Sequence, residues 1–247
     1  MACTALILLS CLHLARAMSS HTVLVSGYNH QITRLRINQT DSGPVLEKTG
    51  VWDVDKDMTW LQVEGNTVYA AHEVESYGGV AGGAISRWNI TKEGMDKLQM
   101  VILPTVSPAH LLVSLEMELA FVANYGGHSF TVVRMDGERL LGDIAYHETF
   151  GAGCRDASHP HQTVLYGSWV WVVDLGCDTI RHYKVENNEI VKLGETQVKA
   201  GLGPRHMVVH HQKKLVFLVG ELQSIVEVYR YREKYIKVVV NMSLQVE

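Results

Sequence analysis

Short apolar runs alternate with polar punctuation along this chain, and they come in pairs. Val23–Tyr28 reads VLVSGY, Val68–Glu73 VYAAHE, Ala120–Tyr125 AFVANY, Val170–Leu175 VWVVDL and Val216–Leu222 VFLVGEL. Each stops at a polar residue or a glycine. Each is followed by a second run in which apolar and polar residues alternate: ITRLRI, AISRWNI, FTVVRM, TIRHYKV and IVEVYRY. Period-two alternation bounded by turn formers is the mark of a half-buried strand. Each pair therefore predicts two antiparallel strands joined by a tight turn. No stretch carries a sustained helical period.

The pairs repeat at a fixed interval. The punctuating residues Gly27, Glu73, Asn124, Asp174 and Glu221 lie 46, 51, 50 and 47 residues apart. A second series, Trp60, His110, His161 and His206, stands just before or within further strand-like runs at intervals of 50, 51 and 45. Two landmarks with one period predict a β-propeller, in which sheets stand radially around a central channel. The landmarks are expected to point toward that channel. A ring bearing Trp and His in one series and Glu, Asn and Asp in the other predicts a polar pocket. The competing reading is that many of these polar groups only satisfy backbone at strand ends.

Composition adds bounds. An apolar content of 47% supplies a large core, and 19% charge with a net charge of −4 gives no basic face for nucleic acid or an anionic membrane. Ala5 to Leu14 is too short to span a bilayer, and Ala15-Arg16-Ala17 fits a cleavage site, so residues 1–17 are expected to be a secretory signal and 18–247 the domain. Secretion follows as the expected location, with the cytoplasm as the alternative if the leader stays. Cleavage would remove Cys3 and Cys11 and leave Cys154 and Cys177, whose pairing stays open at this point. Asn38, Asn89 and Asn241 begin N-x-S/T triplets, which fit a secreted glycoprotein.

Several residues suggest chemistry. Gly203-Pro204-Arg205-His206, with Glu221-Leu222 after the next strand, brings an arginine, a histidine and a carboxylate onto adjacent short strands. Arginine offers a planar fork of donors to a carboxylate, a phosphate or an oxyanion; an inter-blade salt bridge is its bland alternative. His159 precedes Pro160 and also reads as a turn histidine bonded to backbone. His159, His161 and His206, or Glu73, Asn124 and Asp174, are conceivable metal ligands. His72-Glu73 lacks the second histidine of a zinc-protease helix, the paired glycines at 78–79 and 82–83 lack a phosphate-loop lysine, and Ser224 lacks a nucleophile elbow.

The motifs SGY (26–28), ANYGGHS (123–129), HPHQ (159–162), VVDLGCDTI (172–180), GLGPRH (201–206) and the EL pair at 221–222 resemble those of the seven-bladed β-propeller lactonases, which include propeller-type 6-phosphogluconolactonases and carboxy-muconate cyclases. The resemblance implies an all-β propeller with about five of seven blades present. It implies lactone hydrolysis without metal or cofactor. Carried over position by position, it makes His161, Arg205 and Glu221 catalytic. His159, His206, Asn124, Asp174 and Glu73 are expected to bind substrate, a small lactone or carboxylate. A muconate-cyclase-like isomerase and a non-catalytic secreted propeller are the alternatives. An open sheet edge at absent blades predicts self-association.

Overall fold

The computed structural model describes residues 21–40, 42–151, 154, 157–232, 235–237 and 244–245. The expected signal segment, Cys3, Cys11 and the triplet at Asn241 lie outside the described residues.

Five antiparallel sheets follow one another along the chain. The first contains β1 (His21–Val25), β2 (Gln31–Thr40) and β3 (Gly43–Asp53). The second contains β4 (Met58–Glu64), β5 (Thr67–His72), β8 (Ala84–Ile90) and β9 (Met95–Ile102), with a small ribbon of β6 (Ser76–Tyr77) and β7 (Val80–Ala81) between β5 and β8. The third contains β10 (Pro108–Ser114), β11 (Leu119–Asn124), β12 (Ser129–Asp136) and β13 (Arg139–Thr149). The fourth contains β14 (Pro160–Tyr166), β15 (Trp169–Asp174), β16 (Thr179–Glu186) and β17 (Glu189–Gln197). The fifth contains β18 (Pro204–His210), β19 (Leu215–Gly220), β20 (Ile225–Arg232) and β21 (Tyr235–Lys237), and β22 (Leu244–Gln245) also pairs with β20. Among the described residues there is no α-helix, only a 3-10 turn at Glu221–Gln223. The chain is thus all-β, with five propeller blades.

The strand pairs read from the alternation are β1–β2, β5–β8, β11–β12, β15–β16 and β19–β20, all antiparallel and adjacent. One expectation needs correction. The β5–β8 connection is not a tight turn, because it holds the β6–β7 ribbon, whose strands are joined at Gly78 and Gly79. The left-handed φ that closes the corresponding turns falls on His128 (48°), Asp178 (50°) and Ser224 (52°). Gly176 is required for a different reason. A Cβ there would sit 1.8 Å from the carbonyl oxygen of Ala157.

An apolar cluster fills each interface between successive blades. Ile32 and Trp52 pack against Met58, Val68, Ala70 and Trp88 between the first and second. Tyr69, Ile85, Leu111, Val122 and Val133 lie between the second and third. Phe121, Phe130, Val172 and Tyr183 join the third to the fourth, and Trp171, Ile180, Leu218 and Tyr229 join the fourth to the fifth. Each such side chain contributes roughly 1.5–3 kcal/mol of burial, so the blades cohere through their faces.

Glutamines add polar ties. Gln62 on β4 gives its amide hydrogen to Val113 O (2.9 Å) and accepts from Val113 N (2.7 Å) on β10. Gln99 on β9 makes the same paired contact with Leu140 on β13, at 3.2 Å each way. Gln162 on β14 accepts from Met207 N on β18 at 2.6 Å. The side-chain amide thus stands in for a strand between blades whose own strands splay apart.

Candidate active site at the bulged inner strands

The first strand of each four-stranded blade is innermost, and each is irregular at one place. The register shifts between Met58 and Trp60, Pro108 and His110, Pro160 and Gln162, and Pro204 and Met207. In the last three blades a proline opens the strand, where its missing N–H costs no ladder bond. The bulge that follows re-aims the next side chains. This local grammar presents Trp60, His110, His161 and the pair Arg205-His206.

The four rings converge across blades. Trp60 lies 4.1 Å from His110 and 5.5 Å from His206, centroid to centroid, and His206 lies 5.0 Å from His161. His110 Nδ1 meets Thr163 Oγ1 at 3.1 Å. His161 Nδ1 is buried and meets no hydrogen-bond partner on another described residue, and His206 Nε2 likewise has none. A cavity of about 740 Å³ extends from Trp60 and His110 along the inner strands past Gln62, Leu112, Val164 and Val209.

Arg205 and the carboxylates form the second part of the site. Arg205 Nη1 donates to Glu221 Oε2 in an ion pair whose side chains are both 40% exposed. Glu221 begins the 3-10 turn after β19, and Glu73 occupies the matching place after β5. Glu73 Oε2 accepts from the Tyr28 hydroxyl of the first blade at 2.7 Å. The charge of Arg205 also favours the ionised form of Glu73.

Protonation follows from burial. Desolvation holds the His161 imidazole down at about 3, aided by the charge of Arg205 and by His206. His206 is held at about 4, again by burial first and Arg205 second. His110, fully enclosed, is depressed by burial and by its two histidine neighbours. All three rings are neutral at pH 7. Burial raises the Glu73 carboxyl, against the opposing pull of Tyr28 and Arg205.

Asn124 and Asp174 stand apart from this group, contrary to the substrate contact expected of them. Both are at 0% exposure. Asn124 Nδ2 is spent on Ser129 and on Thr131 Oγ1 (2.9 Å). Asp174 accepts from Ser158 Oγ (2.6 Å), His159 N (2.8 Å), Cys177 N (3.2 Å) and Arg181 Nη2 (2.8 Å). Their work is to hold the rim. His159 is half-buried, with Nδ1 on Tyr125 O (3.1 Å) and its ring stacked on Tyr125 at 4.3 Å. It is a backbone-bonded turn histidine. Through Tyr125, whose ring meets His161 edge-on at 5.7 Å, it supports the site from outside. Cys154 and Cys177, left open by the sequence, form a disulfide with Cα atoms 4.5 Å apart.

The family model for the seven-bladed β-propeller lactonases matches residues 22–244. The chain belongs to that family. Lactonase-family relatives include the 6-phosphogluconolactonase of Pectobacterium atrosepticum, 31% identical over 50% of this chain and 37% of that protein. The 6-phosphogluconolactonase of Bacillus subtilis is 26% identical over 67% of this chain and 49% of its own length. The chain thus spans between a third and a half of these curated relatives. Among solved structures, a Bacteroides fragilis protein described as a candidate 6-phosphogluconolactonase has a TM-score of 0.79 at 20% identity, covering 95% of this chain and 70% of that one. The periplasmic gluconolactonase of Pseudomonas aeruginosa also scores 0.79, at 17% identity, covering 93% of this chain and 69% of that one. At those identities the likeness shows the fold.

Two residues of the candidate site escaped the sequence reading. Tyr28 and Tyr125 each follow a punctuating residue, Gly27 and Asn124, so the period that located the landmarks also located them. Arg181, which secures Asp174 and lies 3.9 Å over the Phe150 ring, sits inside an ordinary alternating strand and carries no such signal.

Proposed function

We propose that this lactonase-family chain hydrolyses a small sugar lactone, 6-phosphogluconolactone or a related aldonolactone, at the mouth formed by the second, fourth and fifth blades. The observation that carries the reading is Arg205, set on a bulged strand between the Glu221 carboxylate and two neutral, buried histidines. A lactone is a cyclic ester. Its hydrolysis needs a donor where the carbonyl oxygen gains charge and a group that accepts a proton from water. Arg205 supplies the donor, and its pairing with Glu221 fixes the guanidinium plane. His161 and His206, held neutral, offer ring nitrogens to the sugar hydroxyls, and Trp60 supplies an apolar face beside them. The names of the Pectobacterium and Bacillus relatives support the substrate class.

The test is hydrolysis of a lactone panel that includes 6-phosphogluconolactone and gluconolactone. Removing one oxyanion donor costs roughly 10²–10³ in kcat, so Arg205→Ala is expected to lose that much while keeping its fold. A folded wild-type protein that turns over no lactone, or an Arg205→Ala variant of unchanged rate, would end this reading.

A further inference from the structure

We propose that Glu73, rather than Glu221, is the carboxylate that takes the proton from the attacking water. The inference rests on the lactone-hydrolysis reading and deepens it.

Three observations converge on Glu73. First, Glu221 is already committed. One of its oxygens holds Arg205, and 40% of its side chain is open to water. Moving it would release the cation that must meet the oxyanion. Second, Glu73 stands at the equivalent place in the second blade, half-buried, with Oε2 anchored by the Tyr28 hydroxyl of the first blade at 2.7 Å. That contact ties the Glu73 carboxyl to the first blade. Third, Arg205 acts on Glu73 as well as on His161 and His206. Glu73 and the two histidines therefore lie within the field of the cation that Glu221 holds. The two environments divide the work. The ion-paired carboxylate positions Arg205, and the half-buried one held by a tyrosine hydroxyl exchanges protons. Burial raises the Glu73 carboxyl, which strengthens its ionised form as a base.

The step balances. The Glu73 carboxylate removes a proton from water as the water oxygen bonds the lactone carbonyl carbon. The carbonyl π pair moves onto oxygen and is met by Arg205. When the tetrahedral intermediate collapses, the ring C–O bond breaks and the leaving ring oxygen takes the proton back from Glu73. The product is the open hydroxy acid, and Glu73 is again ionised.

The experiment measures kcat/KM against pH on gluconolactone and 6-phosphogluconolactone for wild type, Glu73→Gln, Glu221→Gln and Tyr28→Phe, with circular dichroism as the folding control. Glu73→Gln is expected to lower kcat by roughly 10²–10⁴, the usual worth of a general base, and to abolish the acidic limb. Glu221→Gln is expected to raise KM and keep that limb. Tyr28→Phe removes a hydrogen bond to the charged form, so the limb is expected to move to higher pH by about one unit. This variant decides the matter if Glu73→Gln fails to fold. The proposal is overturned if Glu73→Gln keeps wild-type rates, or if the limb ignores Tyr28→Phe and vanishes in Glu221→Gln, and in both cases lactonase activity itself stands. Absence of turnover in the wild type removes the activity and this role together.

Discussion

Acidification from pH 7 to pH 5 should destabilise this fold strongly, and the size of the effect follows from three buried histidines. His161, His206 and His182 are held at about 3, 4 and 4, in each case by burial first. In the unfolded chain an imidazole titrates near 6.5. Above that value both states hold neutral rings and nothing is lost. Below it the unfolded chain gains protons that the folded chain refuses, so stability falls as pH falls, from about 6.5 until the folded groups themselves titrate near 3–4. Integrated from pH 7 to pH 5, each histidine contributes a loss of about 1.9 kcal/mol, or about 5–6 kcal/mol for the three together. His110 adds in the same direction. Burial depresses His72 and His147 too, so the raised carboxyl of Glu73, which acts in the opposite direction, is one group against six. For a chain of this size about 1 kcal/mol moves Tm by about 2–4 °C. The expected drop in Tm is therefore about 10–20 °C, read by circular dichroism melts at constant ionic strength. The His206→Asn variant should lose about a third of the slope. A Tm that stays within about 2 °C between pH 7 and pH 5 would refute the argument, because it would require these rings to accept protons in the folded state.

Three other outcomes are expected. Asp174→Ala should cost about 3–5 kcal/mol in urea titrations, since it leaves Arg181 buried without its enclosed partner and frees Ser158 and His159. Reducing the Cys154–Cys177 bond, which spans 23 residues, should lower stability by about 3 kcal/mol, seen as a lower Tm with reductant than without. Gln62→Ala should cost about 2 kcal/mol by leaving both backbone groups of Val113 without their partner, and unfolding by calorimetry would show it.

The sequence made the architecture legible because each blade repeats one pattern. Alternation located β1–β2, β5–β8, β11–β12, β15–β16 and β19–β20, and the two landmark series gave the inner strands their place. Adjacent short strands grouped Arg205, His206 and Glu221 in the sequence, and only the resemblance to the lactonase motifs added His161 to them. What alternation does not encode is which polar group at a repeated position is enclosed. Asn124 and Glu73 are equivalent in sequence. One turns into its own hairpin to satisfy Ser129 and Thr131, and the other reaches Tyr28 of the preceding blade. That difference depends on the partner residues, not on the spacing. The β6–β7 ribbon was illegible because strands of two residues are too short to show alternation. The bulges were legible only in part. Pro108, Pro160 and Pro204 mark three of them, and the fourth, at Met58 to Trp60, has no proline.

Every blade is assembled from strands that are neighbours along the chain, and even the disulfide closes within the fourth blade, around its first hairpin. Local pairing of this kind has a low loop-closure cost. During synthesis each unit of roughly fifty residues can therefore form its sheet soon after it leaves the ribosome, before the next has been made. The apolar faces then join in the order of translation, each new blade covering the exposed face of the one before. Arg205, in the fifth blade with His206 and Glu221, arrives after the other described site residues, so the positive charge enters only after Glu73, His110 and His161 are in place to receive it.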